Sequence, residues 1–380
     1  MIYLDYNAST PCDPRVVEAM LPYFYEKFGN PSQAHGFGRV AAISVRRARE
    51  YVAKLINTDP QKLIFTSGAT ESNNIAIMGV VLSNIHKRCK IVTTKIEHSS
   101  VLEPCKRTSI YGCKICYLPV DNTGRVDLDA AADIITDDTA LVSVQAANNE
   151  IGTVQDIKAL AAIAHERGAL FHCDAAQAVG KTAVDVQELD VDLLSISGHK
   201  LYGPKGIGVL YIQGEPNHFP LTPLMIGGGQ ENGLRPGTLN VPGIVGIGEA
   251  CRIMDSCWQE EAQRIAGLRD YFEDKIRERF PTVRFNGNRK YRLPGTTSIT
   301  FPGIDTEALL ANTPDLAWSV GSACNSGALE PSHVLLGIGV DRISAYQTIR
   351  VGIGRFTTQN ELGIAAELIS SAIHRIEALA

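Results

Sequence analysis

The chain has 380 residues, 44% of them hydrophobic and 20% charged, with a formal net charge of −5. That is the mix of an ordinary globular protein large enough for more than one domain, and its acidic balance argues against a broad phosphate-binding face for nucleic acid. No apolar run approaches the roughly 20 residues of a membrane span, and no basic segment followed by an apolar core opens the chain. A cytoplasmic protein is expected. Nine cysteines, an odd number without framework spacing, fit a reducing compartment.

In chain order, Tyr3-Leu4-Asp5-Tyr6-Asn7-Ala8 reads as an extended lead-in. Residues 14–24 read as a helix with Pro14 at its start, and Phe28-Gly29-Asn30-Pro31-Ser32 is turn chemistry. Residues 40–56 form a helix with arginines on a face expected to be solvated. Leu63-Ile64-Phe65 is a strand running into Thr66-Ser67-Gly68-Ala69-Thr70-Glu71. Small residues between a strand and a helix offer backbone N–H groups to an anion, although this is neither a Walker loop nor a GxGxxG. Lys90-Ile91-Val92-Thr93-Thr94 is the next strand, followed by Glu97-His98-Ser99-Ser100. Cys113 and Cys116 form a CxxC with no second pair to complete a zinc site, so a plain strand is expected there, and no metal. Residues 141–145 make a strand that ends at Asn148-Asn149-Glu150, ordinary turn chemistry when taken alone.

Ala169-Leu170-Phe171-His172-Cys173-Asp174 is an apolar run that ends on a carboxylate. Val191 to Ser197 is another, broken at Gly198 before His199 and Lys200. Such runs read as buried strands of a parallel sheet, and ligands of open α/β sheets bind at the carboxyl ends of the strands. A lysine taken alone is ordinarily solvated. One held at a buried strand end has a lowered pKa and becomes a nucleophile toward a carbonyl. With a neighbouring aspartate to pair a protonated pyridine nitrogen, it has the polar skeleton of a pyridoxal 5'-phosphate (PLP) site. Residues 204–211 return as a strand. Gly227-Gly228-Gly229-Gln230-Glu231-Asn232-Gly233-Leu234-Arg235-Pro236-Gly237-Thr238 is the most glycine-rich loop. Residues 241–279 are one long helical stretch, and Thr296-Thr297-Ser298-Ile299-Thr300-Phe301 alternates as a strand. Val320-Gly321-Ser322-Ala323-Cys324-Asn325-Ser326-Gly327 leaves a cysteine poorly shielded among small residues, as a reactive thiol requires. Trp318 beside it reads equally as a restraint on that loop or as local core. Thr348-Ile349-Arg350 supplies a guanidinium suited to a carboxylate, with Arg355 as the second choice.

From Tyr3 to beyond Arg350 these motifs resemble the cysteine desulfurases of the NifS/IscS type, in the class-V aminotransferase family of fold-type I PLP enzymes. The resemblance implies an α/β fold. A large domain over residues 14–255 would hold a mainly parallel seven-stranded sheet between helices. A smaller α+β domain would be made of both chain ends, 1–13 and 256–380, and carry the cysteine loop. It implies Lys200 bonded to PLP, Asp174 on the pyridine nitrogen, Gln177 on the phenolic oxygen, and His98 over the ring, moving protons. Ala69, Thr70, Ser197 and His199 would hold the phosphate, together with Thr238 contributed from the other subunit of a homodimer. Asn149 would contact cofactor and substrate, and Arg350 the substrate carboxylate. Cys324 would take sulfur from L-cysteine as a persulfide, leaving L-alanine, and pass it to an acceptor protein.

No direct nucleic-acid or membrane partner is expected. A chain ending soon after its last helix points to a dedicated sulfur route, DNA phosphorothioation first, with iron–sulfur clusters or tRNA thiolation as alternatives. A PLP lyase or aminotransferase acting on another amino acid would not need Cys324. A weakly catalytic scaffold would not need the intact set of Lys200, Asp174, His98 and Cys324.

Overall fold

The computed structural model describes residues 1–84, 88–216, 218–320 and 330–378. Thirteen strands occur among them: β1 (Ile2–Tyr3), β2 (Leu63–Thr66), β3 (Lys90–Thr94), β4 (Lys114–Leu118), β5 (Thr139–Gln145), β6 (Leu170–Asp174), β7 (Leu193–Ser197), β8 (Gly208–Ile212), β9 (Arg284–Asn286), β10 (Thr296–Thr300), β11 (Leu316–Ala317), β12 (Ser319–Val320) and β13 (Thr348–Gly352). Seven form one sheet in the order β2-β8-β7-β6-β5-β3-β4. Only β8 runs against the others.

The apolar runs follow from this sheet being covered on both faces. Successive side chains point to opposite faces, and the core divides accordingly. Leu63, Phe65, Val92, Val142, Leu194 and Val209 pack in one cluster, while Ile64, Ile91, Leu141, Leu193 and Leu210 pack in another. The first cluster lies against helices Gly36–Leu55 and Ile157–Glu166, the second against helices Ala69–Asn84 and Ser99–Arg107.

A second sheet, β12-β13-β10-β9, is antiparallel. Its core takes Leu4 from the N-terminal end and Ile299, Ile349, Val351, Leu362 and Ile369 from the C-terminal part. β1 pairs with β11, which ties the first residues of the chain to this body. The helix Val241–Arg279 runs unbroken for 39 residues. Its first half, through Met254, packs in the large-sheet core, and Ile265, Phe272 and Ile276 pack in the second.

Several expectations change. The helix expected over 14–24 is two pieces, Pro14–Met20 and Pro22–Tyr25, because Pro22 begins a new turn where its ring can stand. Arg49 is not on a solvated face. It bonds the Leu63 carbonyl, pairs with Glu231 at 2.5 Å, and lies 4.5 Å from the Phe65 ring centroid. Trp318 is core: it is buried in the second cluster, and its indole N–H donates to Thr313 Oγ1 at 3.1 Å. Cys116 lies on β4 as expected, but Cys113 forms a disulfide with Cys89. β3 and β4 are parallel in the register Lys90↔Lys114, so the residues just before each strand stand side by side, with Cα atoms 4.5 Å apart, within disulfide reach.

Candidate active site

The parallel strands of the large sheet all end on one side, and there the chain opens a cavity of about 630 Å³, a size suited to a small-molecule site. Ten of the twelve expected residues line it: Ala69, Thr70, His98, Asn149, Asp174, Gln177, Ser197, His199, Lys200 and Arg350. Thr238 does not; it is exposed at the end of the glycine-rich loop. Cys324 lies outside the described residues.

Asp174 closes β6 and is buried. Its Oδ2 accepts from Asn73 Nδ2 at 2.8 Å, and its Oδ1 accepts the Ala176 N–H at 3.0 Å. Lys200 leaves the short turn after β7 and is anchored by the carbonyls of Asn7 and, at 2.8 Å, Ala8. Burial lowers its pKa to about 8, and the facing Arg350 guanidinium helps. Burial likewise lowers His199 to about 4, assisted by Lys200, Lys205 and Lys181; its Nδ1 lies 3.2 Å from Ser9 Oγ. Gln177 donates from Nε2 to the Asn7 carbonyl at 2.8 Å, and its Oε1 accepts from Lys181 at 3.0 Å. His98 turns its ring to the cavity. Removal from bulk water lowers its pKa, Lys200 and His333 add to that, and Asp174 opposes them.

The cradle between β2 and the helix Ala69–Asn84 is shaped by two glycines. Gly68 has φ +153°, and a Cβ on it would meet nothing within 4 Å; a Cβ on Gly208 of β8 would sit 2.5 Å from Gly68 Cα. The backbone therefore passes close to β8 while the cradle itself stays open, and the helix presents the unpaired N–H groups of its first turn. Glu71 accepts the Ser67 N–H at 2.5 Å and pairs with Arg235 at 3.0 Å. This joins the cradle to the loop that ends at Thr238.

β13 brings Arg350 to the rim from the other sheet. Its Nη2 meets Asp5 Oδ1 at 2.8 Å and Ser319 Oγ at 3.1 Å, and its Nη1 donates to the Asn149 carbonyl at 3.3 Å. Its Nε is buried with no hydrogen-bond partner among the described residues. Arg355 does not compete for this role. Asp13 and Glu261 hold it at 2.7 and 2.8 Å, and it stacks on Tyr202 at 4.1 Å.

Sequence reasoning missed Asn7, Asn73 and Ser100. Asn73 stands in the polar run Thr70-Glu71-Ser72-Asn73-Asn74 that opens the helix Ala69–Asn84, so nothing in the local pattern marked it as buried. Asn7 gave no signal, because its carbonyl matters only through contacts 170 and 193 residues away.

The set tests well for PLP: a buried carboxylate, a low-pKa lysine, an open anion cradle and a guanidinium line one space. The aminotransferase class-V family matches residues 2–364. A cysteine desulfurase IscS from Rickettsia felis is 48% identical over 379 residues, covering 100% of this chain and 92% of the relative. Among solved structures, a NifS-like protein aligns with a TM-score of 0.91 at 37% identity, covering 98% of this chain and 99% of its own. A structure of SspA in complex with cysteine aligns with a TM-score of 0.84 at 35% identity, over 94% and 100%.

Proposed function

The chain belongs to the class-V aminotransferase family and is a cysteine desulfurase, and from that premise we propose that Lys200 binds PLP in the cavity while Cys324 receives the sulfur of L-cysteine. The family is PLP-dependent, and its desulfurases transfer sulfur to acceptor proteins. The observation that carries the site assignment is the convergence of Lys200, Asp174 and Arg350 on one cavity at the strand ends.

The bound cofactor supplies an electron sink for the carbon next to the substrate amine. The residues of the chain do the rest. Asp174, fixed by Asn73 and the Ala176 N–H, keeps the pyridine nitrogen protonated. Gln177 has its oxygen occupied by Lys181, so it offers its N–H side to the phenolic oxygen. The backbone around Ala69 and Thr70, with Ser197 and His199, takes the phosphate. Arg350 and Asn149 orient the substrate carboxylate, for which Arg350 has the fork geometry that carboxylates fit. Lys200, once released, moves the proton on the substrate α-carbon, and its lowered pKa suits that work near neutral pH. Overall, L-cysteine and the Cys324 thiol give L-alanine and a Cys324 persulfide: one C–S bond breaks, one S–S bond forms, and a proton goes to the alanine methyl group.

A second copy of the chain completes the site. Phe24, Tyr25, Phe28, Phe37 and Ile43 are exposed on the N-terminal helices and their connection, with Phe28 stacked on Phe37 at 5.3 Å, and exposed apolar surface of this kind supports an interface there. Thr238 is exposed on a loop held to the cradle through Arg235 and Glu71. We assign Thr238 to the phosphate of the partnering copy. The residues expected as two domains, 14–255 and the two chain ends, then act as the cofactor body and the sulfur-handling body. DNA phosphorothioation, iron–sulfur assembly and tRNA thiolation are separated by which purified acceptor draws labelled sulfur off the enzyme.

The test is alanine and sulfide release from L-cysteine by the purified protein. Cys324→Ser retains the visible absorption of bound cofactor and loses turnover, whereas Lys200→Ala loses the covalent link and about 10²–10⁴-fold in rate. Turnover that survives in Cys324→Ser would overturn the assignment of that cysteine and favour a lyase.

A further inference from the structure

The ring of His98 is held by a hydrogen-bond chain of which the roles above use only the Asn73–Asp174 bond. His98 is the N-cap of the helix Ser99–Arg107, with φ −64° and ψ 150°. Its Nδ1 accepts the Ser100 backbone N–H at 3.1 Å and lies 2.8 Å from Ser100 Oγ. Asn73 Nδ2 donates to Ser100 Oγ at 2.8 Å and to Asp174 Oδ2 at 2.8 Å.

The direction of every bond in this chain follows from which atoms carry hydrogen. A carboxylate only accepts, so the Asn73 atom facing Asp174 is nitrogen; a flipped amide would set oxygen against oxygen. That nitrogen has two hydrogens, one for Asp174 and one for Ser100 Oγ. Asn73 Oδ1 is correspondingly the atom without a partner among the described residues. With its oxygen accepting from Asn73, the Ser100 hydroxyl has its own hydrogen free for His98 Nδ1. A backbone N–H cannot accept, so Nδ1 faces two donors and must carry its lone pair.

We infer that Ser100, oriented by Asn73, is a positioning residue that holds His98 neutral with its proton on Nε2, so that the ring meets the cavity as a hydrogen-bond donor. A neutral imidazole used as a donor is an established catalytic device. Accepting a proton at Nε2 would first require losing the one already there. Protonation at Nδ1 would break the cap and place a cation at a helix N-terminus, where the dipole disfavours it. The charged groups around the ring point both ways. Asp174 at the end of β6 favours a cation, while Lys200 after β7 and His333 on helix His333–Gly337 oppose it. Arg350 on β13 shares the cavity. Glu97 turns its carboxylate away, onto Thr94 Oγ1 and the Gln145 N–H.

The state of the ring stands on the protein by itself; its consequence for catalysis rests on the desulfurase reading. The experiment is long-range proton–nitrogen correlation on the purified protein with ¹⁵N-labelled histidine, with the His98 signals assigned by their loss in His98→Gln. The expected result near pH 7.5 is an unprotonated Nδ1 and a protonated Nε2, with a titration midpoint below the ordinary value of about 6.5. Ser100→Ala removes one hydrogen bond to the neutral form, so the midpoint rises by about half to one pH unit, and Ser100→Thr, which keeps the hydroxyl, restores it. The acid limb of the kcat/KM profile follows the same shifts while the melting temperature stays near wild type. A proton on Nδ1 in the wild type, or an unmoved midpoint in Ser100→Ala, overturns the inference. If L-cysteine gives no alanine, the nitrogen signals still decide the state of the ring, so the two failures are distinguishable.

Discussion

Arg350 and Arg355 stand five residues apart and serve opposite ends. The region around Arg355 is closed. Asp13 is buried and is held well below the usual carboxylate range by Arg15, with Arg355 assisting. Glu261 bonds the Arg355 guanidinium through both oxygens, at 2.8 and 2.9 Å, and the Tyr202 hydroxyl accepts the Arg355 backbone N–H at 2.7 Å. This knot joins the N-terminal lead-in, the long helix Val241–Arg279 and the segment after β13. Around Arg350 the count is left open: a buried N–H has no acceptor among the described residues, and the guanidinium shares the cavity with Lys200, whose charged form it disfavours. A saturated cluster of buried charges is architecture. An unsaturated one at a cavity wall is a place prepared for a ligand, because an unpaired buried donor costs free energy until something binds it.

The contrast breaks if the two arginines respond alike. Arg355→Ala strands the Glu261 carboxylate in a site that is only 10% exposed. Removing one member of a buried pair costs about 3–5 kcal/mol, so a large drop in the urea midpoint is expected, with KM for L-cysteine little changed. Arg350→Ala should do the reverse: kcat/KM falls by about 10²-fold through a higher KM, while the urea midpoint moves far less. A stability loss from Arg350→Ala as large as that from Arg355→Ala, with KM unmoved, would make both residues structural.

Much of the fold was legible because buried parallel strands announce themselves as apolar runs, and the site residues sit where those runs stop. Asp174, Ser197 and Lys200 are found this way, each at a strand end or in the turn just after it. What stayed hidden depends on distant pairing. Asn7 reads as part of a lead-in, yet its carbonyl receives both Lys200 and Gln177. Arg49 reads as one arginine among several, and only the return of the chain at Glu231 gives it a carboxylate partner. Cys89 and Cys113 are ordinary until the β3–β4 register sets them side by side. Local pattern reports burial and conformation; it does not report which remote atom will lie within hydrogen-bond distance.

The comparison sharpens through Lys200, which feels Arg350. Covalent capture of a carbonyl needs the neutral amine. With its pKa lowered to about 8, Lys200 becomes neutral as pH rises through about 8, far below the ordinary value of about 10.4 for a lysine. Cofactor uptake by the protein stripped of PLP, followed by absorbance, should therefore accelerate across that range. Arg350→Met removes a facing cation and also frees the Asp5 carboxylate, which favours the charged amine. Both changes act in the same direction, so the midpoint should rise by about half to one pH unit. Arg355→Met, whose charge is already matched by Asp13 and Glu261, should leave it in place. A midpoint that ignores Arg350 would mean that burial alone tunes Lys200, and the open count around Arg350 would then concern the substrate and not the lysine.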